Sequence, residues 1–216
     1  MIDTVLLLRK MGFHPLIAPY KANGKPLHVH GFLRRFVKSA RRNAKMLRSL
    51  AQSGIDLVGI DPSMTLTYRS EYKHYLREDE TPPVLLLQEW LHKHIETLRS
   101  VPVPTELRDY QLLPHCTEAT NATDSLSHWR SVFAALGYNL SIIPVGCCGM
   151  SGTYGHETRN QLTSKRIYDL SWRGPVEKWA DQGTLLATGY SCRSQIMREN
   201  GYSVLHPIQA LLRVLQ

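Results

Sequence analysis

A chain of 216 residues and 24.6 kDa is long enough to bury a core without disulfide or metal staples, as one large domain or two small ones. With 43% hydrophobic and 20% charged residues it has the composition of a globular protein, and its apolar runs at 84–87 and 142–145 are too short to cross a bilayer, so no transmembrane span is expected and peripheral association stays open. The net charge is +8, and MIDTVLLLRKMGF lacks the small-residue cleavage site of a secretory leader, so the expected location is cytoplasmic.

Taken in chain order, HPLIAP (14–19) reads as a strand. The next segment, GFLRRFVKSARRNAKMLRSLAQSG (31–54), carries Arg34, Arg35, Lys38, Arg41, Arg42, Lys45 and Arg48 and no acid. Phe32, Phe36, Ala40, Met46 and Leu50 space out as a helical stripe, so the charges lie on the remaining faces. A solvated face, or one docking on an acidic partner surface, accounts for this better than nucleic acid, since no aromatic-interleaved platform, zinc finger or helix-turn-helix pattern accompanies it. IDLVGI (55–60) is a strand and VLLLQEWLHKHIETLRS (84–100) a helix. YQLLPH (110–115), LSIIPV (140–145) and TLLATG (184–189) are strands, separated by helical patterns at 123–137 and 157–181, the latter interrupted by Gly174-Pro175. Alternating strands and helices predict an α/β fold with mostly parallel sheets.

The chain also repeats itself. MGFHPLIAP (11–19) aligns with LGYNLSIIP (136–144) at an offset of 125, which carries Gly24 onto Gly149. At an offset of 128, SGIDLVGIDPSM (53–64) sits over QGTLLATGYSC (182–192). The simplest account is two tandem Rossmann-like βα repeats, over 1–100 and 101–216. Cys116 maps to a position before Met1, so the first repeat lacks its opening strand and helix; the chain is expected to be a C-terminal fragment of a larger protein, with Met1 not its natural start.

All four cysteines, Cys116, Cys147, Cys148 and Cys192, fall in the second copy, each at the end of a predicted strand. In an open parallel sheet those ends share one rim, so residues far apart in sequence converge. Four readings compete. Inert buried cysteines do not explain four at equivalent positions, and a structural disulfide is disfavoured in a reducing compartment. A thiol nucleophile with His115 or His156 as base needs one cysteine, not four. A metal site uses all of them, and Gly149 and Gly152 in VGCCGMSGTYGHE (145–157) let the loop turn two neighbouring thiolates towards one centre. Where the second copy has GCCG, the first has KANG (21–24), and Met64 stands for Cys192, so the fold stands without thiols and chemistry is the reason for them.

HC at 115–116, GCCGMSGTYG at 146–155 and SCRSQ at 191–195 resemble the second repeat of the CCG domain, the cysteine-rich module found in heterodisulfide reductase, in glycolate oxidase iron–sulfur subunits and in anaerobic glycerol-3-phosphate dehydrogenase. KANGKPLHVHGFL, GIDPSMTLTYRSEY and HCTEAT are most similar to the C-terminal region of bacterial fusion proteins that join FAD-linked oxidase, ferredoxin-like and CCG parts, of the D-2-hydroxyglutarate and D-lactate dehydrogenase type. The resemblance spans nearly the whole chain. It implies an electron-transfer domain with Cys116, Cys147, Cys148 and Cys192 as metal ligands, partnered by FAD-binding and ferredoxin-like domains. FAD would belong to the parent protein, and this chain alone would not catalyse the oxidation. Gly189 replaces the first cysteine of the family's closing Cys-x-x-Cys and the first repeat has no thiol, so the four ligands suit one [4Fe–4S] cluster or one zinc rather than a five-cysteine cluster. His115 and His156 are candidate substitutes or supports. SGTYGHE is expected to open a helix whose N–H groups face the site, and Asp61, Arg69 and Glu71 to line a groove. The alternative is a structural or docking module with a zinc-bound or empty cysteine site.

Overall fold

The computed structural model describes residues 1–101 and 108–214. The boundary expected at 100/101 abuts 102–107, which lie outside the described residues. The fold is α/β with parallel strands in two small sheets: β1 (Leu57–Gly59) pairs with β2 (Val84–Leu86), and β3 (Asp109–Leu113) lies between β4 (Asn139–Ile142) and β5 (Leu185–Ala187). The helices in chain order are α1 (Ile2–Lys10), α2 (Lys25–Val29), α3 (Leu33–Gln52), α4 (Pro62–Arg69), α5 (Leu87–Lys93), α6 (Ile95–Arg99), α7 (Cys116–Asn121), α8 (Asp124–Ala135), α9 (Gln161–Ser171), α10 (Arg173–Trp179), α11 (Tyr190–Asn200) and α12 (Pro207–Val214). They divide into two compact units, residues 16–90 and residues 1–15 with 91–216.

In the unit of residues 16–90, α3 buries Phe36, Ala40, Asn43, Ala44 and Leu47, a stripe at helical spacing, and leaves its basic residues outside. Phe32, expected on that stripe, precedes the helix and is 53% exposed. Phe36, Tyr72 and Leu76 form one core cluster, and Leu47, Leu57 and Val84 another. Helix α4 starts at an Asp-Pro pair: the Asp61 carboxylate accepts from Met64 N–H at 3.1 Å, and Pro62 occupies a first-turn position where no N–H is needed. Arg69 pairs with Glu89 at 2.6 Å and Glu71 with Lys25, so those two predicted groove residues are engaged in ion pairs.

In the other unit, Leu113, Cys148, Tyr168, Trp172, Leu185 and Ile196 share a core. Strands β3 and β5 are buried along almost their whole length, as parallel strands covered on both faces must be. Helix α1 packs on α12 and α6 on α8. His206, 5% exposed, accepts the Ile208 N–H at its Nδ1 (3.2 Å) to start α12, while its Nε2 has no hydrogen-bond partner among the described residues. Burial, with the nearby Arg193 charge, depresses its pKa from 6.5 to about 3. The folded protein therefore excludes the proton that the unfolded chain takes up below about pH 6.5, and stability falls as pH drops towards 3. Between pH 7 and 5 the protein should lose about 2 kcal/mol more than a His206→Asn variant, as read from urea unfolding at both pH values.

Two expectations fail. HPLIAP is in no strand among the described residues, with Leu16 and Ile17 79% and 64% exposed. Pro15 and Pro19 remove two ladder donors, and the alternating pattern cannot show whether a neighbouring strand is at hand. The run VLLL at 84–87 begins as β2 rather than as helix, because a short apolar run fits a buried strand as well as a helix.

The sequence offsets recur in the elements. Shifted by 125, α1 falls on the end of α8; shifted by 128, α3 falls on α9 and α10, β1 on β5, and α4 on the start of α11. The Val58–Leu85 pair of β1 and β2 corresponds to the Leu186–Leu205 bridge beside β5.

Candidate metal centre

Each thiol stands where a strand gives way to its next element. Cys116 is the first residue of α7, behind β3; Cys147 and Cys148 lie in the loop after β4; Cys192 is in the first turn of α11, behind β5. The shared rim brings all four together: Cys116 contacts Cys147, Cys147 contacts Cys148, and Cys148 contacts Cys192. All are free thiols; Cys148 and Cys192 are buried, and Cys116 and Cys147 half-buried.

The loop that presents the middle pair is anchored at both ends. Gly146 N–H donates to Ser171 Oγ (2.9 Å) and its carbonyl accepts from Trp172 Nε1 (3.0 Å). Gly149 offers its carbonyl to the Ser164 hydroxyl at 2.9 Å, and Gln195 Nε2 donates to the same hydroxyl oxygen at 3.2 Å. At and after the second anchor the chain turns through positive φ at Gly149 (87°), Ser151 (36°) and Gly152 (69°). A Cβ on Gly149 would collide with the Ser164 carbonyl of α9, whereas one on Gly152 would meet nothing within 4 Å. Gly149→Ala should thus cost at least about 2 kcal/mol of stability and Gly152→Ala about 1, compared by urea unfolding.

The electrostatics follow from crowding. Hydrogen bonds from Cys116 and then Cys148 hold Cys147 far below the ordinary thiol range, with Gly149 N–H adding a bond to its sulfur at 3.4 Å. Cys116 and Cys148 are pushed up, first by sharing the Cys147 sulfur, then by burial in the one case and by Cys192 and burial in the other. Cys116, Cys147 and Cys148 thus carry one negative charge with ease and resist a second, unless a cation joins them. Among the described residues no three or more His, Cys, Asp or Glu side chains close into a shell for one ion; the sulfurs run as a chain of contacts. The donor set itself, four thiols with backbone N–H groups of Gly149 and Met150 directed at sulfur, fits a thiophilic centre.

His115 caps α7, its Nδ1 accepting the Thr117 N–H at 3.1 Å, which places its ring near Cys147. A Cβ on Gly189 would run into the His115 ring and come within 2.8 Å of Cys192 Sγ, so Gly189 borders this site and the imidazole uses the room a side chain there would need. His156 is exposed in a 3-10 turn. SGTYGHE does not open an α-helix: two 3-10 turns, Tyr154–His156 and Thr158–Asn160, intervene before α9, because the Gly-rich loop must complete its turn first. Sequence reasoning missed Glu118. Fully buried, it accepts from Thr188 Oγ1 (2.6 Å), Ser125 Oγ and Trp129 Nε1 (both 3.2 Å), and burial pushes its pKa up to about 7. It ties α7 and α8 to the end of β5, and no local pattern in the sequence marks it.

In the other unit, the positions equivalent to the thiols hold Ala22, Asn23 and Met64. Gly24 has φ 85°, matching Gly149, and its Cβ would strike Phe36, the residue that aligns with Ser164. Asn23 Nδ2 donates to the Met64 carbonyl (3.3 Å) and touches its sulfur (3.4 Å), so an amide–thioether contact stands where Cys148 meets Cys192.

No family model matches the chain. The chain is 48% identical over 210 residues to D-2-hydroxyglutarate dehydrogenase of Pseudomonas putida and 44% identical over 216 residues to that of Escherichia coli K12, covering 97% and 99% of this chain. It is 26% identical over 220 residues to one of the subunits of the anaerobic glycerol-3-phosphate dehydrogenase of Escherichia coli K12, 54% of that protein. The chain spans about a fifth of the length of the D-2-hydroxyglutarate dehydrogenases it matches, so the similarity is to one portion of much longer dehydrogenases.

Proposed function

We propose that this chain is the cysteine-rich electron-transfer portion of a longer FAD-linked D-2-hydroxy acid dehydrogenase, in which Cys116, Cys147, Cys148 and Cys192 hold a [4Fe–4S] cluster. The observation that carries this reading is the convergence of four thiols from three separate strand ends, whereas the other unit has the equivalent glycine turn and no thiol. The similarity to dehydrogenases over almost the whole chain supports it. When bound, such a cluster supplies a one-electron relay.

The chain's own residues set the conditions for that relay. Cys148 and Cys192 form the buried side of the site, and the half-buried Cys116 and Cys147 mark the edge at which an electron partner approaches. The N–H groups of Gly149 and Met150 donate to cysteine sulfur and stabilise added negative charge, which raises the reduction potential. His115 fixes the start of α7, and with it the direction of Cys116. The FAD-binding and ferredoxin-like parts of the parent protein are the proposed partners.

Protein purified without oxygen should be brown and contain roughly four iron and four sulfide per chain, as one cubane cluster requires. Colourless protein with one zinc per chain would overturn the electron-transfer role in favour of a structural site. Metal-free protein after anaerobic reconstitution would overturn both.

A further inference from the structure

The two sheets differ in the neighbours of their equivalent strands. In one unit β3 lies between β4 and β5, and all three residues of β5 are buried. In the other, β1 stands where β5 does and has β2 on one side, but only its first residue is buried. The segment at 14–17, equivalent to β4, pairs with no strand among the described residues. Between Leu16–Pro19 and the residues of β1 lies an apolar groove of about 540 Å³, lined also by Leu47, Met64 and Val84.

The hydrogen bonds that β3 makes have counterparts around this groove. Gln111 N–H donates to Thr184 O (3.1 Å), Thr188 N–H to Leu113 O (3.4 Å), and Ile143 N–H to Leu112 O (2.9 Å). The offsets place Thr184, Thr188 and Ile143 on Asp56, Ile60 and Ala18, and all three of these line the groove. Its walls carry the counterparts of the residues that flank β3 and are largely apolar, as the seat of a fully buried parallel strand must be.

We infer that this groove is the seat of one further parallel β-strand, the counterpart of β3, supplied by the longer polypeptide from about fifteen residues ahead of Met1. The occupant is a run of four or five apolar residues, and Asp56, Ile60 and Ala18 supply its main-chain partners. The inference rests on the reading of the chain as part of a longer protein and is independent of any metal.

The test compares the 216-residue chain with a version carrying a second copy of its own residues 108–125 directly ahead of Met1, which restores the repeat spacing; Cys116→Ser in the added copy keeps thiols out of it. Amide hydrogen exchange is read on metal-free protein, with β3–β5 amides as the internal reference. Exchange at Ala18 and Ile60 should slow at least about 100-fold in the extended protein, and the added strand should itself be protected. A proline at the Leu112 position of the added copy should abolish both effects. Exchange at Ala18 and Ile60 unchanged within about twofold, or protection that survives the proline, would overturn the proposal. So would the same protection in the unextended chain accompanied by a dimer in light scattering, which would make a second copy the occupant. Because metal takes no part, a colourless protein sinks the electron-transfer reading and leaves this outcome standing.

Discussion

Cys148→Ser should lower the metal bound after anaerobic purification at least about tenfold while leaving the far-ultraviolet circular dichroism unchanged. Cys148 is the thiol with most to lose: it is 3% exposed and touches both Cys147 and Cys192, so its removal separates the two ends of the sulfur chain. A buried hydroxyl in its place costs about 1–3 kcal/mol where it finds no partner, a fraction of the stability of a domain. Asn23, a polar side chain at the equivalent position, shows that the scaffold accommodates a non-thiol there. Iron retained at the original level would remove Cys148 from the ligand set. Wholesale unfolding would mean that metal binding and folding are one event, as in structural zinc sites.

The second large effect is on stability. Trp172→Ala should cost about 3–5 kcal/mol and lower the urea midpoint accordingly. The indole is fully buried where α9 hands over to α10, stacks on Tyr168 with ring centroids 6.4 Å apart, and donates to the Gly146 carbonyl. Truncation removes core volume and one anchor of the cysteine loop together. Trp172→Phe separates the two contributions: it keeps most of the ring and loses the hydrogen bond, and should cost about 1–2 kcal/mol. If Phe proves as damaging as Ala, the loop anchor matters more than the packing.

Much of the fold is legible where periodicity is unambiguous. α3 and α8 carry long apolar stripes, and β1, β3, β4 and β5 are short runs closed by Gly, Pro or polar residues, so each can be placed from its own residues. HPLIAP and VLLL cannot be placed that way. The first satisfies the strand pattern but is in no strand among the described residues, and the second satisfies strand and helix patterns alike. Helix α4 escapes a reading of the sequence although Asp61-Pro62 is a start signal, because PSMTLTYR has little apolar periodicity. The four cysteines can be grouped from sequence since strand ends share a rim whatever the details of the fold. The supports around them cannot be found so: Ser164, Trp172, Gln195 and Glu118 act through hydrogen bonds to residues 11 to 70 positions away, and no local pattern marks such a bond.

The match between Gly24 and Gly149 bears on how the site would be filled. Both turns place a glycine at almost the same φ, 85° and 87°, one beside thiols and one beside an amide and a thioether, so this turn forms with or without thiols. The turn that carries Cys147 and Cys148 is therefore preorganised: a metal entering the proposed site would have little backbone entropy to offset there. Such a domain can be synthesised and folded first and loaded afterwards. On the proposed reading, a site stripped by oxygen would be refilled on the same molecule, provided that the half-buried pair, Cys116 and Cys147, is kept reduced.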